Sequence, residues 1–418
     1  MRPLDIAIAG AGPGGLATAL YLHRAGHRVR MYERFTEAQP VGSGLILQPT
    51  GLAVLHDLGL HGKIAELGQP LDRLVGHDAR TGRVVLDVRY AALRNGGRGL
   101  GVRRAALFDV LHDAVRTEGI PIETGFAVSG RDAGWLLSGG RREGPFDLIV
   151  DALGAGSPLR AEAQVPGDGR ALGFGALWAT TPWVDGFGPR ALMQRYRRAK
   201  VMIGVLPIGR RQPGGEALAA FFWSLRIAEY EAVRAAGFEA LAERIRRYWP
   251  ETAPHLAAIG GFEGLTLARY AHATLLVPAG RGIAFVGDSA HSTSPQLGQG
   301  ANMALLDAKA LSLALAQEAD VAAALGRYAR LRRWHVRLYQ MLSRSLTPFY
   351  QSDSTVLPLI RDLFVSYLAR VPPAPQVLAA MVAGNLLNPI KALGLDVAPA
   401  LEDRGGNRDQ SLGMSGQR

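Results

Sequence analysis

A glycine-rich turn near the start of the chain has the residue types and spacing to hold the phosphates of a dinucleotide. Gly10, Gly12 and Gly15 have the G-x-G-x-x-G spacing and follow the apolar run Asp5–Ala9. Glycines at these places allow a tight turn and bring backbone N–H groups at a helix N-terminus close to a pyrophosphate. Glu33 ends the next strand-like run, where its carboxylate can accept hydrogen bonds from ribose hydroxyls but would repel a 2′-phosphate. The turn therefore predicts a dinucleotide site to which NADP is poorly suited.

A second stretch, between residues 282 and 302, consists of an apolar strand, a carboxylate after the strand, and then further glycines. Asp288 follows the apolar run at 283–286, at the strand end where α/β folds bind ligands. Pro295 fixes the next loop, and Gly298 and Gly300 open another helix whose N–H groups can face an anionic ring edge. Two ligand-facing strand ends, far apart in sequence, fit one long cofactor.

The elements that must position these residues alternate between buried strands and helices, which predicts an α/β fold. Residues 166–270 differ, with strand-like runs and several aromatic residues that indicate a mainly antiparallel sheet. A long amphipathic helix is expected at 325–346, with Leu325, Tyr328 and Trp334 on its apolar face. The predicted boundaries are 1–70, 97–165 and 271–345 for a discontinuous cofactor domain, 71–96 and 166–270 for a substrate domain, 346–401 for a C-terminal helical region, and 402–418 for a disordered tail.

Composition excludes several classes of function. The chain has 418 residues and no cysteine, so thiolate catalysis, disulfides and Cys-ligated metals are excluded. The formal net charge is +11, but no basic stripe with stacking aromatics occurs, so no nucleic acid partner is expected. The histidines have no metal-ligand spacing, so no metal is expected. The N-terminus enters a strand at Asp5 without room for a signal peptide, and no run of 18 apolar residues occurs, which predicts a cytoplasmic protein.

Both motifs resemble those of the single-component FAD-dependent aromatic hydroxylases, the para-hydroxybenzoate-hydroxylase-like group. The likeness rests on GAGPGG at 10–15 with Glu33, on GDSAH-x-x-SPQLGQGANMALLDA at 287–308, and on Arg104 and Leu107 at a helix start. The aromatic strands of the second domain look nearest to the ubiquinone-biosynthesis-type branch. The resemblance covers about residues 4–345 and implies a Rossmann-like FAD-binding domain, a β-sheet substrate domain and C-terminal helices.

The resemblance also implies a role for individual residues. The glycine turn would bind the FAD pyrophosphate, Glu33 the adenosine ribose, and Asp288 a ribityl hydroxyl. Arg104 would contact the phosphate or ribityl region, and the loop from Pro295 would line the isoalloxazine ring. The expected cofactor-binding residues are Gly10, Gly12, Pro13, Gly14, Gly15, Glu33, Arg34, Gln48, Arg104, Asp288, Pro295, Gly298, Gln299, Gly300, Ala301 and Asn302.

One position departs from the family pattern. The family's middle motif usually reads Ala-Asp-Gly, but here Leu153 stands where the Asp is expected. In the family this motif is associated with both FAD and the nicotinamide donor. A leucine side chain accepts no hydrogen bond, so direct reduction by NADH or NADPH is in doubt and an external flavin reductase becomes an alternative.

The second domain offers candidate substrate residues, each with a structural alternative. Gln194 and Tyr196 lie at i and i+2 of an expected strand and therefore share a face, which is either the substrate pocket or ordinary sheet packing. Trp178 and Trp223 either shape an aromatic pocket or belong to the core. His291 either relays protons or satisfies backbone groups in its turn. No catalytic base is assigned.

By resemblance, the activity is that of an FAD-dependent monooxygenase. It would hydroxylate a small aromatic or quinone-like substrate through a flavin C4a-hydroperoxide, with O2 as co-substrate and NADH or NADPH as electron donor. The alternatives are an FAD oxidoreductase that inserts no oxygen and a flavoprotein accessory factor that acts on a partner protein. Besides the small substrate, the expected partners are a flavin reductase or, through the arginine-rich helix, a membrane surface.

Overall fold

The structure is a computed structural model that describes residues 1–36, 43–94, 96–165, 167–362 and 371–401. The strands are β1 (Asp5–Ala9), β2 (Arg28–Tyr32), β3 (Gly44–Leu47), β4 (Gln69–Leu71), β5 (Arg73–Asp78), β6 (Val84–Arg89), β7 (Gly99–Arg103), β8 (Ile122–Glu123), β9 (Gly130–Asp132), β10 (Trp135–Ser138), β11 (Arg141–Glu143), β12 (Leu148–Asp151), β13 (Asp168–Pro182), β14 (Ala191–Arg197), β15 (Val201–Arg210), β16 (Ala217–Arg226), β17 (Thr266–Thr274), β18 (Ala279–Gly280) and β19 (Ile283–Phe285). The α-helices are α1 (Pro13–Arg24), α2 (Pro49–Asp57), α3 (His61–Leu67), α4 (Arg104–Thr117), α5 (Tyr230–Ala235), α6 (Phe238–Tyr248), α7 (Ala253–Ile259), α8 (Asp288–His291), α9 (Gly300–Gln317), α10 (Val321–Tyr350), α11 (Val356–Ile360), α12 (Ala374–Val382) and α13 (Pro389–Ala392).

Both sequence motifs lie at one edge of a six-stranded sheet with the order β18-β19-β12-β1-β2-β8. β1 pairs in parallel with β2 and with β12, and β19 pairs in parallel with β12. Ile6 and Ile8 on β1 are completely buried, as in a parallel strand covered on both faces, and each contributes about 1.5–3 kcal/mol by burial. Because parallel strands end at the same edge, the turn after β1 and Asp288 after β19 lie on the same side of the sheet.

Close packing of α1 against α9 brings the two motifs together. A Cβ on Gly14 of α1 would lie 3.2 Å from the Cβ of Ala304 on α9. A larger residue at position 14 would therefore push apart the helix that opens the first motif and the helix that closes the second. Helical spacing in the sequence predicts helices at about 104–118 and 298–316, and α4 and α9 match these bounds to within two residues, whereas α3 was not expected.

The second sheet has seven strands in the order β17-β13-β16-β15-β14-β5-β6. All its neighbouring pairs are antiparallel except β14 with β5. The hairpin β5–β6 comes from residues 73–89 and joins strands that come from residues 168–274, so the two segments assigned to the substrate domain form one sheet. One face packs against α6 and α7, and the other faces the first domain.

The apolar face predicted for the long helix is wrong at Trp334. This side chain is 62% exposed, whereas the polar Arg332 and His335 are buried. Arg332 is drawn inward because Nε donates a hydrogen bond of 2.6 Å to Oδ1 of Asp307, a carboxylate with no solvent exposure. A buried charge needs a partner, and that need outweighs the apolar pattern here.

Two further expectations concern the second domain and the C-terminus. The sequence pattern predicts a single helix near 229–247, but the structure divides it into α5 and α6, because Gly237 adopts a left-handed backbone with φ of 88°. The predicted tail, 402–418, and much of the helix expected at 356–370 lie outside the described residues. Within the described ranges, no helix combines the length and the apolar character needed to cross a bilayer.

Candidate active site

The turn after β1 leaves open space in front of the N-terminus of α1. Gly12 is the N-cap of this helix, and no side chain caps it. A Cβ on Gly12 would meet no heavy atom within 4 Å, whereas a Cβ on Gly15 would clash with the carbonyl oxygen of Gly10. Gly10 itself has φ of 104°, and a Cβ there would lie 2.5 Å from the carbonyl oxygen of Ala152. Uncapped N–H groups with free space before them are what a pyrophosphate requires.

Glu33 lies beside this turn, at the end of β2. Its Oε2 accepts a hydrogen bond of 2.8 Å from the backbone N–H of Ala11, and its Oε1 accepts one of 3.2 Å from Phe35 N–H. These two bonds orient the carboxylate next to the phosphate turn. Arg34 follows on the exposed side, with its guanidinium 4.6 Å from the centre of the Phe35 ring. The structure thus places Glu33 and the glycine turn together, while their roles in binding stay predictions.

The second motif forms a turn and a helix start beside an exposed carboxylate. Asp288 begins α8 directly after the strand, and its Oδ1 would lie 3.8 Å from a Cβ on Gly300. The Ser294 side chain accepts a hydrogen bond from Gln296 N–H and so caps the short turn that follows. Gly298 ends that turn with a left-handed φ of 61°. The carboxylate and the N-terminus of α9 therefore face the same space.

Asn302 joins the second motif to the loop after β3. It is fully buried, and its Oδ1 accepts a hydrogen bond of 2.8 Å from Gln48 N–H. Its Nδ2 donates to the carbonyl oxygens of Ile46 and Gly298, at 3.1 and 2.9 Å. Asn302 thus positions two segments of the wall, and its contact with the cofactor stays a prediction. Gln48 accepts from the Tyr90 hydroxyl at 2.7 Å through Oε1, which leaves Nε2 free to face the cavity.

A cavity of 480 Å³ extends from the second motif to the inner face of the seven-stranded sheet. We call the side formed by residues 43–48, Arg104, Asp288 and 293–301 the cofactor half, and the side formed by the sheet and the C-terminal helices the substrate half. The predicted cofactor-binding residues on its wall are Gln48, Arg104, Asp288, Pro295, Gly298, Gln299, Gly300 and Ala301.

Unpaired amide atoms in the cofactor half test whether FAD fits. Gln48 Nε2, Gln296 Nε2 and Gln299 Oε1 are buried without a hydrogen-bond partner in the described structure. Buried polar atoms are normally paired, so these two donors and one acceptor indicate a polar ligand. The edge of an isoalloxazine ring carries carbonyl oxygens, ring nitrogens and an N–H. The residues present therefore fit FAD.

Gln194 and Tyr196 share a face of β14, as their spacing predicts, and both lie on the wall of the substrate half. The Tyr196 hydroxyl donates a hydrogen bond of 2.8 Å to Gln194 Oε1. Among the described residues, Gln194 Nε2 has only the thioether sulfur of Met202, at 3.5 Å, as an acceptor. A thioether is a weak acceptor, so the Gln194 N–H groups retain capacity for a ligand.

Trp223, the third residue predicted to bind substrate, lies on the opposite face of the sheet. Its side chain is 1% exposed and packs in the cluster under α6. Its neighbour Phe222 lines the cavity instead, because successive residues of a strand alternate between faces. Trp178 also lines the cavity, and its Nε1 donates to the Tyr270 hydroxyl at 2.9 Å.

The C-terminal region contributes cavity residues that the sequence interpretation missed. Leu346, Tyr350 and Gln351 come from the end of α10, and Leu378 and Met381 come from α12. The helical spacing predicted these helices but gave no sign of what they pack against. The sequence carries no local signal for this, because the contacts of these helices depend on long-range packing.

Asp151 is a buried carboxylate at the sheet edge, two residues before Leu153. Its Oδ2 accepts a hydrogen bond of 2.5 Å from the Ser157 hydroxyl, and its Oδ1 accepts one of 2.9 Å from Leu153 N–H. Burial raises the pKa of Asp151 to about 6, despite these hydrogen bonds. The Leu153 side chain packs against the apolar cluster that contains Tyr32 and Phe126. Position 153 therefore serves packing in this chain.

His291 belongs to a buried ion network rather than to the cavity wall. Its Nε2 lies 2.6 Å from Oδ2 of Asp307, whose other oxygen is held by Arg332. Burial alone would raise the pKa of Asp307, but His291 and Arg332 hold it below its ordinary value. The geometry therefore favours a structural role for His291 over a role as a proton relay.

Comparisons with known proteins agree with this architecture. The family model described as "FAD binding domain" matches residues 3–133 and 147–340. The FAD-dependent urate hydroxylase of Klebsiella pneumoniae subsp. pneumoniae is 27% identical over 357 residues, which cover 79% of this chain and 86% of that protein. Aurachin C monooxygenase/isomerase of Stigmatella aurantiaca is 27% identical over 337 residues, 79% of this chain and 85% of that protein.

A solved structure, the tetrameric form of 2-methyl-3-hydroxypyridine-5-carboxylic acid oxygenase, has the same fold. Its TM-score is 0.74 at 24% identity, and the match covers 89% of this chain and 99% of that one. The relatives support the monooxygenase hypothesis and give no support to an oxidoreductase without oxygen insertion or to an accessory factor. The chain therefore belongs to the FAD-binding domain family, and it is an FAD-dependent monooxygenase of the single-component aromatic hydroxylase type.

Proposed function

We propose that this protein hydroxylates a small, neutral, planar aromatic or quinone-like molecule. The observation that carries the proposal is the cavity that joins the second motif to the aromatic inner face of the sheet. When bound, FAD supplies the electron-transfer and oxygen-transfer chemistry with O2, and the protein supplies binding, orientation and a dry cavity.

Residues of both motifs hold the cofactor. The N–H groups at the start of α1 bind the pyrophosphate, and Glu33 binds the adenosine ribose. Asp288 and Arg104 hold the ribityl and phosphate region, and the turn from Pro295 to Ala301 lies along the ring. The support for these roles is the open space at Gly12 and the unpaired amides of the cofactor half.

The wall of the substrate half favours a neutral ring. It is formed largely by Trp178, Phe222, Tyr196 and aliphatic side chains, which exclude water and stack on planar molecules. The charged residues that the sheet contributes to this wall are Asp87 and Arg269; Asp87 is already held by Arg73, with its Oδ1 2.6 Å from Nε, and Arg269 is exposed to solvent. The urate hydroxylase relative acts on a planar heterocycle by its name, which agrees with a planar substrate but says nothing of its charge.

The electron donor is NADH or NADPH, or a flavin reductase that feeds the cofactor. Leu153 supports the second route, because its apolar side chain packs into a cluster where the family pattern expects a carboxylate. Contact with a membrane surface, the cytoplasmic location, the kinship to the ubiquinone-biosynthesis branch and the domain boundaries stay predictions.

Anaerobic stopped-flow reduction of the FAD-loaded protein tests the proposal. We expect NADH or NADPH to bleach the flavin, faster with a planar phenol or N-heterocycle present. If the reductase-fed route operates, only an added reductase or dithionite bleaches it. Admitting isotopically labelled O2 should then place one labelled oxygen atom in the aromatic product, detected by mass spectrometry.

Two outcomes would contradict the proposal. Purified protein that holds no FAD and cannot be reconstituted would remove its basis. Reduced flavin that returns O2 only as hydrogen peroxide, across phenols, hydroxypyridines and quinolones, would show an oxidase rather than a hydroxylase.

A further inference from the structure

Gln351 is a buried polar side chain in the substrate half whose hydrogen-bonding capacity is unused. It follows directly on α10, lines the cavity and is 5% exposed. Both amide atoms, Oε1 and Nε2, are buried without a partner in the described structure. A buried amide with neither atom paired destabilises the protein, so a ligand group is the natural partner.

The backbone at Gln351 is fixed in place. Gln351 N–H donates to Thr347 O at 2.8 Å, and Ser352 N–H donates to Ala199 O at 3.1 Å. Arg361 Nη1 donates to Phe349 O at 2.9 Å. The end of α10 is thus fastened to the turn between β14 and β15. The amide is therefore presented from a rigid support, as recognition requires.

The neighbours of Gln351 do not satisfy it. The adjacent Tyr350 packs its ring 5.3 Å from the ring of Tyr196. Tyr196 in turn gives its hydroxyl hydrogen to Gln194. Gln351 and Gln194 therefore lie at the same end of the cavity, linked by two packed phenol rings whose planes are tilted by 52°, and both retain N–H groups for a ligand.

Binding of the cofactor does not explain the unpaired amide of Gln351. The other unpaired amides on the cavity wall, at Gln48, Gln296 and Gln299, belong to segments that form the cofactor half. Gln351 comes from a segment beyond residue 340, where the match to the FAD-binding family ends. Its partner is therefore expected on the substrate.

We propose that Gln351 is a recognition subsite for a ring edge that carries an N–H beside a C=O, as in a lactam of a planar heterocycle. A glutamine amide presents one acceptor and one donor side by side, and it pairs in bidentate fashion with an adjacent donor and acceptor on a ring. The inference rests on the proposed function, because it assigns the substrate class of the same cavity.

A pair of ligands that differ only in the donor tests this subsite. 2-Quinolone carries the N–H beside the C=O, and N-methyl-2-quinolone lacks the N–H. Titration into the oxidised, FAD-loaded protein gives Kd from the change in flavin absorption, with calorimetry as a second measurement. We expect 2-quinolone to bind about tenfold tighter, as one lost hydrogen bond predicts.

Substitution of Gln351 should abolish that preference. In Gln351→Leu the two ligands should bind with Kd values within about twofold of each other. The ligand-free variant should be at least as stable to heat as the wild type, because an unpaired buried amide has been removed. Gln351→Met serves as a second variant of similar shape. Gln376→Leu is the matched control, since Gln376 Oε1 is also unpaired but the residue is not part of the cavity wall.

The outcomes separate this inference from the proposed function. A wild type that binds both quinolones equally or binds neither, or a Gln351→Leu variant that keeps the tenfold preference, would overturn the subsite. These readouts need no turnover. A protein that prefers 2-quinolone yet hydroxylates nothing would therefore keep the subsite and lose the proposed function. The reverse result would keep hydroxylation and lose the subsite.

Discussion

Two glycines of the first motif are required for different reasons, although only three positions separate them. Gly12 has φ of −71° and ψ of 172°, a backbone open to any residue, and a Cβ there would project into free space. A Cβ on Gly15 would instead meet the Gly10 carbonyl oxygen within the protein itself. We therefore expect the ligand to require the first glycine and the fold to require the second.

This difference predicts opposite effects of two alanine substitutions. Gly12→Ala should leave the free energy of unfolding of the apoprotein within about 0.5 kcal/mol of the wild type. It should raise the Kd for FAD at least about tenfold, because the methyl group occupies the pyrophosphate position. Gly15→Ala should lower the free energy of unfolding by about 1–3 kcal/mol through overpacking.

Urea unfolding of the apoproteins and FAD titration by fluorescence quenching measure the two effects. A Gly12→Ala variant that binds FAD as tightly as the wild type would place the pyrophosphate elsewhere. Unfolding of apo Gly15→Ala at the wild-type urea midpoint would contradict the predicted clash.

At the scale of single residues, the sequence is enough to predict those positions that local backbone geometry determines. The glycine spacing and the period of two along β14 need no tertiary information, and the structure brings Gln194 and Tyr196 to the cavity accordingly. Trp223 was a candidate for the substrate pocket but lies on the opposite face of the sheet. The period of two along a strand does not say which of its faces meets a ligand. Gln351 was missed because its unpaired amide can be recognised only once its neighbours are known.

α10 shows how a buried charge can set the orientation of a long helix. The sequence places arginines around the helix, and a solvated face for all of them is the simplest interpretation. The structure instead buries Arg332 beside Asp307 and leaves Trp334 exposed between Arg333 and Arg337, whose guanidinium carbons lie 5.2 and 5.7 Å from its ring centre. The helix length was predictable, but its rotation depends on a carboxylate on another helix.

Removal of one partner of this pair should be strongly destabilising. Arg332→Met leaves Asp307 with only the His291 ring and the Gly287 N–H as hydrogen-bond partners among the described residues, and we expect a loss of about 3–5 kcal/mol in the free energy of unfolding. The double variant Arg332→Met, Asp307→Asn should recover part of that loss, because the uncompensated charge is gone.

Chemical denaturation of the FAD-loaded proteins measures these values. The control is Arg330→Met, two positions away on the exposed side of the same helix, with an expected change within about 0.5 kcal/mol. Equal losses in the Arg332 and Arg330 variants would show that the buried pair adds nothing specific.

At the scale of the whole molecule, three separate regions of the chain meet at one cavity. The first domain brings the cofactor half, the seven-stranded sheet brings the aromatic face, and α10 and α12 complete the wall. The sequence predicted the first two, because strand and helix periods and the motifs identify them. It could not predict the third, because the docking of a C-terminal helix onto a sheet depends on long-range contacts.

The contribution of α12 can be tested at Leu378, which lines the cavity and packs against the cluster of the sheet's inner face. Leu378→Ala should raise KM for a planar aromatic substrate at least about tenfold, since apolar contact with the ring is lost. FAD content and its absorption spectrum should stay unchanged.

Val377→Ala is the matched control, because this neighbouring side chain is 53% exposed and its loss should leave KM within about twofold. A Leu378→Ala variant with wild-type KM, or one that loses FAD, would show that α12 does not form the substrate side of the cavity.

The part of the cavity wall that comes from residues after 340 has an evolutionary consequence. The nucleotide-binding motifs and this part of the proposed substrate wall lie on different stretches of chain, so we expect that selectivity can change while the motifs stay the same. A lineage could exchange its C-terminal helices, or an engineer could graft them from a homologue, and acquire a new selectivity on inherited redox machinery.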